Sequence, residues 1–479
     1  MNLAAVISAI GAEQADKIAV IERERSVSYG ELHDGIASAA ARMRSIGVAS
    51  GDRVAIALPN GAAFLSCLFG SMLLDATAVP IRYEYCIHEV GHILENASPR
   101  AVVCDSAWLK GRSWIRELLP PGCDIIDYSI PFDSGAGKQT VEAVSDAQNP
   151  ALISYAYTGA GEALGAVHSH LSCTLAGKAY KRHVGMQADD RILFTLPMPN
   201  AFTLAGCVFA PLLEGATLVV ENDFTPKVLL RAIANHQVTI LTGVPAIFRL
   251  LATCYRPSRH DICSLRMLIT GGDYMPENEH LDIEQQLSVQ MVQGYGLTEC
   301  FPVLCNRPDD TNRPGTLGVT GRDVEVKIVD DEGKAVDAGV TGEIFVKTTS
   351  MMTEYYNRPE RTALVYDGTW LHTGDLGHMD AEGYIHFDGL KKNLFNIHGN
   401  KVDPGEVRSV LLSHPSVVQA KVVCDRSSVY NGSSPKIRAC VSVVDVEQIT
   451  AKDIREFCKE RIAVYKVPSF VDVLEVDKS

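Results

Sequence analysis

Apolar residues along the chain repeat with two periods. From Tyr29 to Arg44 (YGELHDGIASAAARMR) they fall at helical spacing, which predicts an amphipathic helix. The next stretch, GVASGDRVAIALPNG, reads as a loop, a buried strand from Val54 to Leu58 and a Pro-Asn-Gly turn. A helix from Ala62 to Leu74 and a strand from Ala76 to Val79 are predicted after it. Strand and helix then alternate through Leu152–Tyr155, Ile192–Leu196, Thr217–Val220, Thr239–Thr242 and Met267–Ile269. Short strands separated by helices imply α/β units with largely parallel sheets.

The pattern changes after about residue 313. GTLGVTGRDVEVKIVDDEGKAVDAGVTGEIFVKT alternates over short runs broken by Asp-Glu-Gly and Thr-Gly, as an antiparallel β-rich element does. A last unit, residues 393–479, has its own small βα pattern. In PGEVRSVLLSHP, Val407, Val410 and Leu411 share a helical face, and the segments QAKVVC, IRACVSVV and AKDIREFCKERI follow as strand, strand and helix. No internal repeat or low-complexity run is present, and the polar stretch from Asp133 to Asn149 reads as a surface connection.

Composition narrows the class. The 479 residues are 46% hydrophobic and 21% charged, enough for a large core and a smaller one. A net charge of −14 disfavours nonspecific nucleic-acid binding, which needs clustered Lys and Arg to displace condensed counterions. The 13 cysteines include no C-x-x-C pair and sit in apolar stretches, as at Cys67, Cys207 and Cys440, so buried thiols are expected. The N-terminal residues lack a basic, then apolar, signal-peptide pattern, and no run approaches the ~20 apolar residues of a membrane helix. A cytoplasmic protein with neither nucleic acid nor membrane as partner is the expectation.

His88, Glu89 and His92 form H-E-V-G-H, the spacing of a zinc protease helix. No third-ligand motif follows downstream. The segment HEVGHILENA reads instead as a surface helix with an apolar side of Val90, Ile93 and Leu94.

Several segments together resemble the adenylate-forming superfamily of acyl-CoA synthetases, peptide-synthetase adenylation domains and luciferases, over nearly the whole chain. The most specific is Gly294-Tyr295-Gly296-Leu297-Thr298-Glu299. The resemblance implies that Tyr295 lies against adenine, Thr298 contacts the α-phosphate and Glu299 helps hold Mg²⁺. Those residue types suit the tasks: an aromatic face for a base, a hydroxyl for a phosphate oxygen, a carboxylate for a hard cation. Thr373-Gly374-Asp375 resembles the segment whose Asp accepts both ribose hydroxyls, and SLRMLITGGDYMP, with Gly271, Gly272 and Asp273, is similar to the adenine-side loop. TILTGVPAIFRLL and the early GDRVAIALPNGAAFLSCLFGSMLLDATAVP also match in order. Near the C-terminus, Asn396-Ile397-His398-Gly399-Asn400-Lys401-Val402 is similar to the face that receives the thiol, with Gly399 lining the pantetheine path. The fold implied is α/β: a large N-terminal acyl- and AMP-binding domain of layered α/β subdomains plus a β-rich subdomain, residues 1–391, and a small mobile α+β C-terminal domain, residues 392–479, with its hinge near Lys392.

The resemblance breaks at the residues that handle polyphosphate. The family's phosphate loop, close to YTSGTTGxPKG, aligns with Tyr155-Ala156-Tyr157-Thr158-Gly159-Ala160-Gly161-Glu162-Ala163-Leu164-Gly165, followed by Ser169-His170. Leu164 stands where the Lys belongs, and Glu162 puts a carboxylate where it would repel phosphate. At the hinge, Gly389-Leu390-Lys391-Lys392-Asn393 carries Leu390 in place of the Arg that contacts ribose and phosphate, while Lys392 keeps the pivot. The family's terminal Gly-Lys-x-x-Arg is not reached by VLEVDKS, and Lys478 aligns too early to replace its Lys. The acyl-side Pro-x-x-His region reads Pro197-Met198-Pro199-Asn200-Ala201-Phe202, so a changed acyl entrance is expected.

What the pattern implies is a non-adenylating acyl-CoA ligase of natural-product biosynthesis. It would take a preformed acyl-adenylate, supplied by a separate adenylating ligase, and transfer the acyl group to coenzyme A. Thr298, Lys392 and Gly399 would serve the transfer; Gly271, Gly272, Asp273, Gly294, Tyr295, Gly296, Thr298 and Asp375 would hold the AMP moiety; Glu299 would be the metal residue. Two alternatives stand beside it: a complete ATP-dependent ligase using Lys391, Lys392 or Lys401 as substitute cations, and an inactive acyl- and nucleotide-binding scaffold.

Overall fold

A computed structural model describes residues 2–23, 25–129, 146–157, 162–309, 311–391, 395–397, 399–425, 435–443 and 449–475. Among them, two large sheets stand either side of shared helices. One, of nine strands, runs Val319–Thr320, Cys300–Cys305, Met291–Leu297, Met267–Thr270, Ile240–Gly243, Arg191–Phe194, Thr217–Val220, Ile18–Glu22, Arg25–Ser28. The other, of seven, runs Glu354–Tyr355, Ala163–Ser169, Pro150–Tyr157, Thr77–Pro80, Arg53–Ala57, Ala101–Cys104, Asp124–Asp127.

The predicted helices fill the space between. Tyr29–Ser45 begins with a capping box in which Ser28 and Glu31 satisfy each other's backbone N–H groups. Ala62–Leu73 is buried from Phe64 onward, as a helix apolar on every side must be. Phe64, Phe69, Phe194 and Phe209 meet in one core that joins the inner faces of both sheets. At Gly70 a Cβ would lie 2.9 Å from that of Ala39, so glycine sets how closely the two helices cross.

The inner strands are parallel, as the alternation predicts. Two pairs are not. Pro150–Tyr157 with Ala163–Ser169, and Met291–Leu297 with Cys300–Cys305, are antiparallel hairpins, because their connections are too short for a crossover. Thr298 and Glu299 therefore form a hairpin tip at the end of the sheet.

Val324–Val329, Gly342–Thr348, Leu371–Met379 and Ile385–Leu390 form the expected antiparallel β-rich element. The C-terminal small domain has a separate core in which Val407, Val410 and Leu411 pack on Ala439, Val441 and Ile454. It comprises a three-stranded sheet, the helices Pro404–Leu412 and Ala451–Lys459, and the hairpin Phe395–Ile397 with Asn400–Val402. Lys392 lies outside the described residues, as does most of the polar stretch from Asp133 to Asn149.

Cys67 and Cys207 are buried as expected, but Cys440 is not fully so. Alternation along Lys436–Val443 turns it to the outer face beside Asp472. No helix among the described residues is long and apolar enough to cross a membrane.

Candidate active site

The end of the nine-stranded sheet, the β-rich element and the small domain enclose a cavity of about 1220 Å³. Gly271, in the loop after Met267–Thr270, is pinned by its N–H to Gly243 O and faces Phe202, whose ring would be 3.0 Å from a Cβ there. Gly272 follows at φ +76°, a left-handed conformation that favours glycine. Asp273 lines the same wall, and burial raises its pKa.

On the opposite wall the Tyr295 hydroxyl donates to Asp375 Oδ2 at 2.6 Å. Burial, then the Asp375 charge, raise the Tyr295 pKa well above the phenol range, so it remains a donor at any physiological pH. The Asp375 N–H donates to Thr373 Oγ1 at 3.0 Å, and that hydroxyl donates to Ile344 O at 2.7 Å. Gly294, Gly296 and Thr298 line the cavity beside them. His168 Nε2 is 2.8 Å from Thr298 O, and burial pushes the His168 pKa down to about 4. A neutral ring donating Nε2–H thus anchors the hairpin tip.

Glu299 is buried, and one of its oxygens accepts from the Tyr355 hydroxyl at 2.5 Å. No group of three or more His, Cys, Asp or Glu among the described residues could hold a metal ion. Mg²⁺ commonly takes one or two carboxylates and draws its other ligands from water and phosphate. Glu299 fits that partial role only.

The small domain reaches the cavity through the hairpin around Gly399. Asn396 Nδ2 donates to Gly272 O at 3.1 Å. Gly399 has φ +78°, and a Cβ there would lie 2.4 Å from Val244 Cγ1. Among the predicted site residues, Lys392 falls outside the description and Gly271 sits behind the wall, beside Phe202; the others line one cavity.

Phosphate-handling positions differ in kind. Thr158–Gly161 lie outside the described residues, but Glu162 and Leu164 do not. Leu164 is buried in a core with Leu297, Cys300 and Leu304. Glu162 pairs with Arg358 at 3.2 Å and Arg361 at 3.9 Å, with His92 at 4.0 Å. Leu390 lies opposite Asp375 in the strand register and lines the cavity. Lys391 is held by Glu343 at 2.9 Å and Asp331 at 3.2 Å, which raise its pKa, so it is committed to the β-rich element's own carboxylates. Lys401 lines the cavity with no ion pair within 4.0 Å to a described residue.

Three wall features escaped sequence reasoning. Phe202 stands beside Tyr180, rings 6.2 Å apart, so the acyl side of the cavity keeps an aromatic wall although the family's His is gone. Gln293, buried immediately before the GYGLTE run, presents an Oε1 without a hydrogen-bond partner among the described residues, and its place next to that run was the available signal. Arg82, from the loop after Thr77–Pro80, donates to Asn400 Oδ1 at 2.6 Å, and nothing in the local sequence marked it.

The sequence profile of the AMP-binding enzyme family matches residues 8–356. A long-chain-fatty-acid–CoA ligase of Mycobacterium tuberculosis is 29% identical over 455 residues, covering 93% of this chain and 88% of the relative. Two solved structures superpose on almost all of it. A double mutant of o-succinylbenzoate CoA synthetase from Bacillus subtilis, bound to a product analogue, gives a TM-score of 0.87 at 25% identity, covering 98% of this chain and 94% of the other. An anthranilate CoA ligase in complex with anthranoyl-AMP gives 0.78 at 25% identity, covering 100% and 94%.

Proposed function

We propose, for a chain that belongs to the AMP-binding enzyme family, that it is an acyl-CoA ligase specialised for the second half-reaction: acyl-AMP and coenzyme A are converted to acyl-CoA and AMP. The observation that carries this is the contrast between the residues kept for a nucleoside and those at the positions aligned with the family's cations. Tyr295, Asp375 and Thr298 remain where a nucleoside and its phosphate need them, while Leu164 and Leu390 occupy the positions that would carry cations for polyphosphate.

The chemistry follows. In acyl-AMP the carbonyl is already activated. Attack by the coenzyme A thiolate forms the C–S bond and breaks the bond from the carbonyl carbon to the phosphate oxygen; AMP leaves with that electron pair and the thiol proton goes to solvent. No pyrophosphate is expelled, so the cations for it are dispensable. Asp375 would hold the ribose and Thr298 the phosphate, while the glycine at 399 lets the thiol's arm pass close to backbone. Glu299 is the residue that would hold Mg²⁺. Removing one preorganised charge contact at a reacting centre typically costs ~3–4 kcal/mol, and even partly additive losses would suppress ATP activation.

The contact of the Gly399 hairpin with Val244 and the Gly272 loop supports a thioester-stage arrangement of the two domains, divided near residue 392. A separate adenylating ligase would supply the acyl-AMP, in a natural-product pathway of the platensimycin and platencin diterpenoid kind. One observation favours a second reading: Lys401 is free to act as a substitute cation in a complete ATP-dependent ligase.

The deciding experiment gives the purified protein lauroyl-AMP or anthraniloyl-AMP with coenzyme A, and in parallel the free acid with ATP and coenzyme A, followed by mass spectrometry. Thioester in the first arm alone is expected. Robust acid-dependent exchange of pyrophosphate into ATP would select the Lys401 reading.

A further inference from the structure

The His-Glu-x-x-His helix, part of no three-ligand group among the described residues, contributes to a fully buried ion cluster that joins the two domains. Glu89 lies in the first turn of helix Ile87–Ala97 in the large domain and is 0% exposed. Its Oε2 accepts from the Cys86 N–H at 3.0 Å, which caps the helix. Its Oε1 points into the small domain, accepting from the Ala463 N–H at 2.6 Å and standing 3.1 Å from Lys466 Nζ. Lys466 is also 0% exposed and donates to Glu406 Oε1 at 2.7 Å.

The partners divide by domain. Glu406 and Lys466 both belong to the small domain, so their pair is internal to it. Glu89 is the large domain's contribution. A helix cap needs neither full burial nor a second oxygen turned to another domain, so capping alone does not account for Glu89. Burial by itself would favour an uncharged lysine, but Glu406 and then Glu89 outweigh it and hold the Lys466 pKa above its usual value.

Around this cluster the same interface continues toward the cavity. The His88 N–H donates to Arg461 O at 3.1 Å, and Ala463 packs into the core with Val90 and Ile93. Arg82 donates to Asn400 Oδ1 at 2.6 Å and lies 5.6 Å from the Tyr465 ring centre. Asn400 neighbours Gly399, whose hairpin touches Val244 and the Gly272 loop. A buried charge separated from its partner is strongly unfavourable, so a displaced small domain would strand Glu89 and Lys466. The cluster therefore selects one orientation of the small domain.

We infer that Glu89 is a positioning residue for acyl transfer: it receives the small domain's buried lysine and thereby seats the Gly399 hairpin against the nucleotide loop. The inference rests on the thioester-forming reading of the cavity. Glu89 acts through the hairpin and touches neither acyl-AMP nor thiol.

Glu89→Gln in the full chain is the test: it removes the charge facing Lys466 at nearly constant shape, and its single carboxamide oxygen can keep the Cys86 N–H bond that caps the helix while its NH2 faces the small domain. With lauroyl-AMP and coenzyme A as probes, the maximal transfer rate is expected to fall at least ~10-fold, with the KM for lauroyl-AMP and the Kd for AMP within about twofold of wild type. Hydrogen–deuterium exchange is expected to rise at residues 399–402 and 463–467. Glu89→Asp, which keeps the charge on a shorter stem, should recover part of the rate, and it serves in the same assays if the glutamine variant does not fold. Wild-type transfer and wild-type exchange in Glu89→Gln overturn the inference, as does a loss confined to AMP affinity. If the wild-type protein forms no thioester, the functional reading falls, and the exchange measurement still decides whether Glu89 seats the small domain.

Discussion

The nucleoside side of the cavity and the strand aligned with the family's phosphate loop are built from similar material and put to opposite use. At the nucleoside end, Tyr295 and Asp375 come from strands of different sheets and meet at 2.6 Å, with Thr373 holding the aspartate's backbone. At the phosphate end, Leu164 has turned into a core and the carboxylate of Glu162 is taken up by Arg358 and Arg361. Charge that would face a ligand in one place is paired within the protein in the other. On the proposed reading, a binding half and an activating half of one site are separable, because different strands carry them.

The largest effect is expected where the nucleoside end is broken. Asp375→Ala leaves the buried Tyr295 hydroxyl without its acceptor and should weaken AMP binding by ~1.5–3 kcal/mol, roughly 10- to 150-fold. Calorimetric titration with AMP reads this directly, and an unchanged affinity would move the nucleoside elsewhere. Next, Gly399→Ala forces a left-handed residue, at a cost of ~1–2 kcal/mol, and drives a methyl into Val244. Transfer to coenzyme A should fall at least ~10-fold with AMP affinity nearly unchanged, and Val244→Ala in the same chain should return part of the rate.

A pH scan separates the scaffold beneath the two ends. His168, His170 and His183 are each pushed by burial to about 4 from an ordinary 6.5. Below pH 6.5 the unfolded chain binds protons that the folded one refuses, so stability present above that pH is lost as pH falls toward 4. His168→Gln should flatten the thermal-melting profile over that window; an unchanged profile would mean that this ring already carries a proton.

The smallest effect concerns Glu162→Gln. Its ion pairs are partly exposed, so stability should change by no more than ~1 kcal/mol. Tripolyphosphate binding should strengthen once the two arginines are released. Acid-dependent pyrophosphate exchange should stay absent in this variant, and its appearance would show that neither Leu164 nor Leu390 is limiting.

Much of this was legible from local sequence. GYGLTE and TGD lie on strands whose backbone alone aims them at the cavity, so short-range patterns carry their placement. The helix Tyr29–Ser45 and the antiparallel β-rich element likewise follow from periodicity. Glu89 did not. HEVGHILENA reads as a surface helix, and the same apolar side is present, yet the residue is fully buried because a far later part of the chain covers it. Lys391, weighed as a replacement cation, lines the cavity and also pairs with Glu343 and Asp331, which are distant in sequence. Long-range pairing of charges has no period to read.

The burial of Leu164 has a consequence for substitution there. A lysine returned to that position would have to displace packing shared with Leu297, Cys300 and Leu304 before it could meet any phosphate. Leu164 is part of what keeps the strand in place, so on the proposed reading a lysine there would meet an obstacle in folding before it met one in chemistry.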